Sequence, residues 1–343
     1  MTMETTDFAK HLSNYLSKYL PAERAASRNT ILSYRDTFVL FLGYMKTQKG
    51  IAAEKLYLAN INKPVIIDFL NWLQEKRKSS NATRNYRMAA IHSFFCYLQY
   101  EMPEKINQWQ EILSIKVKRT EKKSICYLTL DGIKLLLEQI DTSNRQGCRD
   151  LALLSLLYDT GARVQEIIDL SPSALRLENP AIVKLCGKGR KERIVPLQAE
   201  PVKILKAYIA ENHLDRPENN ACPLFVNNRG EKLTRSGIAY ILDHYIKSAR
   251  RYNPQLIPNP ISPHTLRHSK AMHLLQAGVN LIYIRDLLGH VTIQTTELYA
   301  RADSKQKREA LEKAYQNVIP EKDKTGSWEK DETLLYWLKN LDK

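Results

Sequence analysis

The chain has 343 residues, 43% of them hydrophobic, which is enough for a sizeable core and about two domains of ordinary size. Formal net charge is +15, with 20 basic against 11 acidic residues before Cys126 and 32 against 26 after it. That density suits a polyanion such as DNA, although ribosomal and membrane-surface proteins share a basic total. Cys96, Cys126, Cys148, Cys186 and Cys222 stand far apart with no Cys-x-x-Cys pair, which argues against a disulfide framework or a zinc site. No run is long enough to span a membrane and no charged-then-apolar leader follows Met1, so a cytoplasmic protein is expected.

In chain order, the first third predicts helices. Asn29 and Thr30 offer a cap, and Ile31, Tyr34, Phe38, Phe41 and Leu42 recur at helical steps to about Met45. A second apolar periodicity covers residues 65–73. A third follows Ser80, Asn81, Ala82 and Thr83 and puts Tyr86, Ala90, Phe94 and Leu98 on one stripe, with Arg84 and Arg87 near its start. Exposed arginines are as readily solvated as bound, but Lys76, Arg77 and Lys78 nearby favour a phosphate-facing patch. Residues 113–126 read as a basic interdomain linker, because Lys116, Lys118, Arg119, Lys122 and Lys123 occur there without apolar periodicity. Its sign suits lying along a DNA backbone.

The second domain opens at Thr129, a cap for a helix through Leu137. An apolar helix over residues 150–157 breaks at Asp159, Thr160, Gly161 and Ala162, and a fresh helix carries Arg163 in its first turn, then Glu166 and Ile167. Residues 181–186 and 193–197 are β-rich runs around Gly187 and Gly189, a hairpin signal that puts Lys188 at a turn. Ser262 then Pro263 marks a helix start, since proline at the first position gives up an N–H that has no partner there. His264 and Arg267 share that first turn, where free N–H groups and the helix dipole favour an anion, so a phosphate is expected. His268 is four residues from His264, as zinc-binding histidines can be, but the metalloprotease pattern needs glutamate where Thr265 stands. His268 and His273 are assigned to packing and hydrogen bonding, and no metal is expected.

Arg163, Lys188, His264, Arg267 and His290 around Tyr299 are the groups needed to break a phosphodiester with a tyrosine nucleophile. Among 18 tyrosines most must be structural, and Tyr158, Tyr240 and Tyr283 are placed on apolar helix faces. The segments Thr160-Gly161-Ala162-Arg163-Val164-Gln165-Glu166, Gly187-Lys188-Gly189-Arg190-Lys191-Glu192-Arg193, His264-Thr265-Leu266-Arg267-His268-Ser269 and Leu287-Leu288-Gly289-His290, with Tyr299 after them, carry a resemblance by their order and spacing. The chain resembles the tyrosine recombinase, or phage integrase-like, family, and within it simple two-domain members such as the bacterial Xer proteins. Residues 27–41 and 83–95 are similar to that family's core-binding helices, so the likeness spans nearly the whole chain. Departures are Ala300 and Arg301 after the tyrosine, where many relatives carry threonine and histidine, and Ser171-Pro172-Ser173, where relatives more often end a polar segment in aspartate.

The resemblance implies that Tyr299 attacks the scissile phosphate, forming a 3′-phosphotyrosyl link and freeing a 5′-hydroxyl, without metal, cofactor or ATP. Arg163 and Arg267 would hold the non-bridging oxygens, for which permanently charged forks are suited. Lys188 resembles the general acid, with Lys191 as fallback; His264 is base or phosphate ligand and His290 a second hydrogen-bonding group. Glu166 either buttresses Arg163 or a histidine, or is an ordinary surface glutamate.

After Tyr299 a helix is predicted to about Val318, then a polar hinge over residues 320–326 and an amphipathic end with Leu334, Leu335, Trp337, Leu338 and Leu341. This end is expected to dock onto a neighbouring subunit, the alternative being packing on its own domain. The resulting expectation is a mainly α fold with a small antiparallel β-sheet. A helical, SAM-like core-binding domain (1–112) and a mixed catalytic domain (127–319) would form a C-shaped clamp on duplex DNA, with a tail over 320–343. The expected function is site-specific DNA recombination at inverted half-sites, a dimer per site and a tetramer in the synapse, within the cytoplasm at the bacterial nucleoid. A type IB topoisomerase-like relaxase is the rival enzyme, and a DNA-binding accessory protein with a dead site the rival from another class.

Overall fold

A computed structural model describes residues 5–121, 124–187, 189, 191–302 and 332–341. The chain divides into two compact units, Met1–Lys123 and Ser124–Lys343.

The first unit is helical. Thr6 caps α1 (Asp7–Asn14), which continues through wide π-type turns to Glu23. Then come α2 (Arg28–Lys49), α3 (Lys63–Glu75), α4 (Asn81–Glu101) and α5 (Ile106–Leu113). Ser27, not Asn29 or Thr30, caps α2: its extended backbone lets Oγ accept from Thr30 N at 3.2 Å, and Asn29 and Thr30 fall in the first turn. Asn62 and Ser80 cap α3 and α4 in the same way. The core is aromatic: Phe94 meets Phe38 edge-on at 5.1 Å and Phe8 at 6.0 Å, with Trp109 fully buried behind them. On α4 the buried stripe is Met88, Ile91, Phe94, Phe95 and Leu98. Tyr86 is 76% exposed, contrary to expectation, because steps of four overshoot a 3.6-residue turn and the series drifts off the buried face.

The front half of the expected linker is held rather than loose. Asn85 exchanges hydrogen bonds with Lys118 N and O, and Asn81 Nδ2 donates to Arg119 O at 2.9 Å, strapping this segment along α4. Lys122 and Lys123 lie outside the described residues.

The second unit packs helices around a three-stranded sheet. Its elements are α6 (Leu130–Glu138), α7 (Arg145–Thr160), α8 (Val164–Ile168), β1 (Leu175–Arg176), β2 (Ile182–Cys186) and β3 (Glu192–Pro196). There follow α9 (Ala199–Glu211), α10 (Arg235–Tyr252), α11 (Pro263–Gln276), α12 (Leu281–Leu288) and α13 (Gln294–Ala302). The sheet is antiparallel in the order β1-β2-β3, with Val183 opposite both Leu175 and Val195. Alternation puts Val183, Leu185 and Val195 into the core while Lys184 and Glu192 face out and pair at 2.8 Å. The two-residue β1 is too short to leave a periodicity in the sequence.

A satellite cluster of Ala271, Met272, Leu275, Ile284, Leu288 and Tyr299 joins α11, α12 and α13 and fixes where Tyr299 stands. The helix predicted beyond Tyr299 and the hinge after it lie largely outside the described residues. The last element, α14 (Glu332–Lys339), leaves Leu335, Trp337, Leu338 and the following Leu341 exposed. No helix among the described residues is long and apolar enough to cross a membrane.

Candidate active site

The site starts where α7 stops. Gly161 takes φ +57°, and an added Cβ would lie 2.7 Å from Leu288 Cδ2, so only glycine makes this turn against α12. The turn delivers Arg163 as the residue capping α8, with extended backbone, rather than in its first turn as expected. Its guanidinium donates to Glu166 Oε1 at 2.9 Å and to Gly289 O at 3.0 Å, and its backbone N–H reaches Glu166 Oε2 at 2.8 Å.

Glu166 is only 4% exposed and receives a second arginine, Arg193, through Nη1 at 2.8 Å and Nη2 at 2.7 Å. Burial alone would raise this carboxyl, but Arg193 and then Arg163 outweigh it and hold Glu166 below the usual carboxylate range. Glu166 thus buttresses two guanidiniums at once, both of which donate to its Oε1. Arg193 Nε also donates to Leu287 O at 2.8 Å, joining β3 to α12.

Arg267 is the fifth residue of α11, just past the first turn where it was expected, and is 3% exposed. It donates to Gly161 O and Leu288 O, both at 2.7 Å, carbonyls at the C-terminal ends of α7 and α12 where the backbone dipoles are negative. Burial, then the charge of Arg163, brings its pKa down to about 10, so it stays a cation at neutral pH.

Three imidazoles surround these cations. His264 stacks on His268 with ring centres 6.2 Å apart and is lowered below 6.5 by loss of water, then by Arg267 and Arg163. His290 shares a hydrogen bond with Thr296 Oγ1 at 2.9 Å through Nδ1. Burial, then Arg267, Arg163 and Arg193, push it down to about 4, so it is neutral at physiological pH.

Tyr299 is 3% exposed, lies almost parallel to the His290 ring at 6.3 Å, and places Oη 2.9 Å from His268 Nδ1. Burial holds its pKa above the usual phenol value, an effect that Arg267 and then Arg163 only partly offset. Arg163 borders two clefts. One, of about 420 Å³, also carries Gly187, Lys191, Arg193 and His290; the other, of about 390 Å³, carries Gln165, Arg235, Ser262 and His264.

Arg163, Glu166, His264, Arg267, His290 and Tyr299 therefore come together from separate segments. Lys188 lies outside the described residues, while Lys191 on the same hairpin lines the larger cleft. In the first unit Lys76, Arg77, Lys78, Lys116, Lys118 and Arg119 are exposed. Arg84 departs from the expected surface patch: it is 4% exposed, and its Nε and Nη1 have no hydrogen-bond partner among the described residues. Arg87 ties α4 to α2 by donating to Ser33 O and Thr37 Oγ1. Tyr240 and Tyr283 are 74% and 71% exposed, not core tyrosines, whereas Tyr158 is half-buried on His273.

Two contributors escaped the sequence reading. His268, expected to pack or hydrogen-bond inside the domain, does hydrogen-bond there, and its partner, which the sequence does not indicate, is the Tyr299 hydroxyl. Its four-residue spacing from His264 was weighed only for zinc. Arg193 was one basic residue of a basic hairpin, and nothing in its spacing betrays a shared carboxylate.

A helical N-terminal unit, followed by a mixed unit that gathers guanidiniums and imidazoles about a tyrosine, defines the class as a tyrosine recombinase fold. Residues 127–306 match the phage integrase family and residues 13–101 the phage integrase N-terminal SAM-like domain. The chain belongs to the phage integrase family, that of the tyrosine recombinases, enzymes of site-specific DNA recombination. It is 34% identical over 330 residues to the putative integrase/recombinase y4rC of Sinorhizobium fredii (strain NBRC 101917 / NGR234), covering 96% of this chain and 97% of that one. The tyrosine recombinase XerD of Listeria monocytogenes serotype 4b (strain F2365) is 34% identical over 283 residues, 82% of this chain and 90% of that one. Among solved structures, the XerH site-specific recombinase bound to difH substrate in a pre-cleavage complex superimposes with a TM-score of 0.64 at 27% identity, over 86% of this chain and 82% of that one.

Proposed function

We propose that Tyr299 attacks the scissile phosphodiester of duplex DNA, forming a 3′-phosphotyrosyl bond and releasing a 5′-hydroxyl. The bond keeps the phosphodiester energy, so another 5′-hydroxyl reverses the step and joins a new pair of strands without ATP. The observation that carries this reading is the buried Tyr299 hydroxyl under the joint influence of Arg267 and Arg163.

In this scheme the two guanidiniums neutralise the charge that builds on the non-bridging oxygens, in a site where water is excluded and each contact counts for more. Glu166 and Arg193 keep Arg163 oriented. His264 and His290, both lowered in pKa, act as neutral hydrogen-bonding groups on the phosphate. The hairpin after β2 supplies the proton for the departing 5′-oxygen, from Lys188 or, failing that, Lys191. No metal or cofactor is assigned a part.

The exposed Lys76, Arg77, Lys78, Lys116, Lys118 and Arg119 of the first unit, with Lys122 and Lys123, hold the backbone of the same duplex. The XerH relative is described bound to its difH substrate and a lambda integrase as a dimer on a core site; we carry this over as one dimer on inverted half-sites and four subunits in the synapse. The exposed apolar face of α14 is assigned to a neighbouring subunit. Such a protein works in the cytoplasm on the nucleoid.

The test is a nicked suicide duplex carrying the site mapped in the source genome. Wild-type protein is expected to accumulate a covalent adduct and Tyr299→Phe none. Wild type that binds the site without forming an adduct would favour a DNA-binding accessory protein. Supercoil relaxation without recombinant product would favour a type IB topoisomerase-like relaxase.

A further inference from the structure

Two imidazoles lie against Tyr299, His268 and His290, and among the described residues His268 is the one that touches its oxygen. His268 Nδ1 lies 2.9 Å from Tyr299 Oη. His290 faces the tyrosine ring plane to plane and has its Nδ1 on Thr296, and His264 stacks on His268; among the described residues neither bonds the phenol. We propose that His268 is the group that takes the phenolic proton when Tyr299 attacks, a further catalytic residue that deepens, and rests on, the phosphotyrosyl reading above.

The step balances. Tyr299 Oη forms the bond to phosphorus as the P–O5′ bond breaks. The phenolic proton passes to His268 Nδ1, and the 5′-oxygen takes a separate proton from the hairpin acid. On rejoining, the incoming 5′-hydroxyl returns its proton to the hairpin while His268 gives its own back to the departing phenolate.

Position and environment both suit this role. His268 sits one turn beyond His264 and one residue beyond Arg267, so the helix that presents the phosphate-binding arginine also fixes the imidazole. The groups facing it are His264 and Arg267 on α11, Tyr299 on α13 and His290 before α13. From α7, Tyr158 and Asp159 instead engage His273 and Lys270. Burial, then His264 and Arg267, lowers the pKa of His268 below 6.5, so the ring is neutral and able to accept a proton at pH 7. A bound phosphate brings negative charge beside it and restores basicity where the proton must go.

The experiment measures single-turnover adduct formation by the full-length protein across pH, for wild type, His268→Asn and His268→Ala, with DNA binding and thermal melting as folding controls. Asparagine places a polar atom near the Nδ1 position, so it can hold the phenol but cannot take its proton. The expected result is a loss of about 10²-fold or more for both variants, at unchanged binding, within the range of general acid–base catalysis. Wild type should lose activity as pH falls through the His268 pKa, and His268→Asn should lack that limb. The deficit should persist on a 5′-bridging phosphorothiolate duplex, whose thiolate leaves without a proton. A His268→Asn rate within about threefold of wild type would overturn the proposal, leaving at most a positioning role, and so would a deficit erased by the phosphorothiolate. Should Tyr299→Phe still form the adduct, the phosphotyrosyl reading falls as well; if it forms none while His268→Asn is normal, only His268 is excluded.

Discussion

Helix α11 carries two histidines that each hold a tyrosine hydroxyl, and the hydrogen bonds alone do not tell them apart. His268 Nδ1 is 2.9 Å from Tyr299 Oη, and His273 Nδ1 is 2.8 Å from Tyr158 Oη. The surroundings differ in sign. Beside Tyr158 stands Asp159, and burial followed by that carboxylate pushes the hydroxyl up to about 12. Beside Tyr299 stand Arg267 and Arg163, which oppose burial. Both hydroxyls stay above the usual phenol value, but a carboxylate favours the neutral phenol and a guanidinium the phenolate, so the field around Tyr299 is the one that suits the proposed nucleophile.

The comparison breaks most sharply at the hydroxyls themselves. Tyr299→Phe is expected to abolish the covalent adduct, while Tyr158→Phe forms it within about twofold of wild type, a difference the suicide-duplex assay reads directly. Adduct from Tyr299→Phe, or its loss in Tyr158→Phe, would show that the field has been assigned to the wrong tyrosine.

Next in size is the cation that creates the difference. On the proposed mechanism Arg267→Gln removes a cation that offsets the developing phosphate charge, and the adduct rate should fall about 10²- to 10³-fold. The same change frees the carbonyls of Gly161 and Leu288, so a loss of about 1–3 kcal/mol in a urea melt should accompany it. A slower reaction without the destabilisation would mean that these carbonyls find water, and that the arginine's value is catalytic alone.

Glu166→Gln acts on the scaffold behind the field. It leaves the half-buried Arg193 beside a neutral amide, and the loss should approach the lower end of the about 3–5 kcal/mol that breaking a fully buried pair costs. The pH dependence has a definite sign. Because the folded pKa of Glu166 lies below its ordinary 4.5, its stabilisation is present above that value and disappears as pH falls through the folded pKa. Wild type should therefore lose stability as pH falls through this range while the variant stays nearly flat there, and the two stability curves should converge toward acid.

How much of this was legible follows from where each signal resides. Ser262 before Pro263, the apolar periodicity over residues 65–73, and the glycines of the hairpin act within a few residues, so local chemistry disclosed α11, α3 and the β2–β3 pairing. Arg163, His264, Arg267, His290 and Tyr299 stand out in the sequence as types in an order, because the proposed chemistry demands those side chains. Their convergence depends on non-local contacts, such as Gly161 against Leu288, that no window contains. The roles of Arg193 and His268 stay hidden for that reason: the groups they hold, Glu166 and Leu287 for one and Tyr299 for the other, are remote along the chain. Arg84 misled in the opposite direction, since a basic residue near basic neighbours looks exposed until the α4 face it occupies is known.

The smallest effect is the stability change in Tyr158→Phe. Losing this hydroxyl removes one neutral hydrogen bond from His273 and leaves the ring packed, so about 1 kcal/mol of destabilisation is expected in denaturant. Lys270 limits it: its ammonium lies 5.4 Å over the Tyr158 ring and bonds Asp159 at 3.1 Å, and phenylalanine keeps that face. A loss of several kcal/mol would instead mean that the hydroxyl anchors α7 to α11. The end of α7 would then shift with Gly161 and Arg163, and the cleavage rate would fall together with stability.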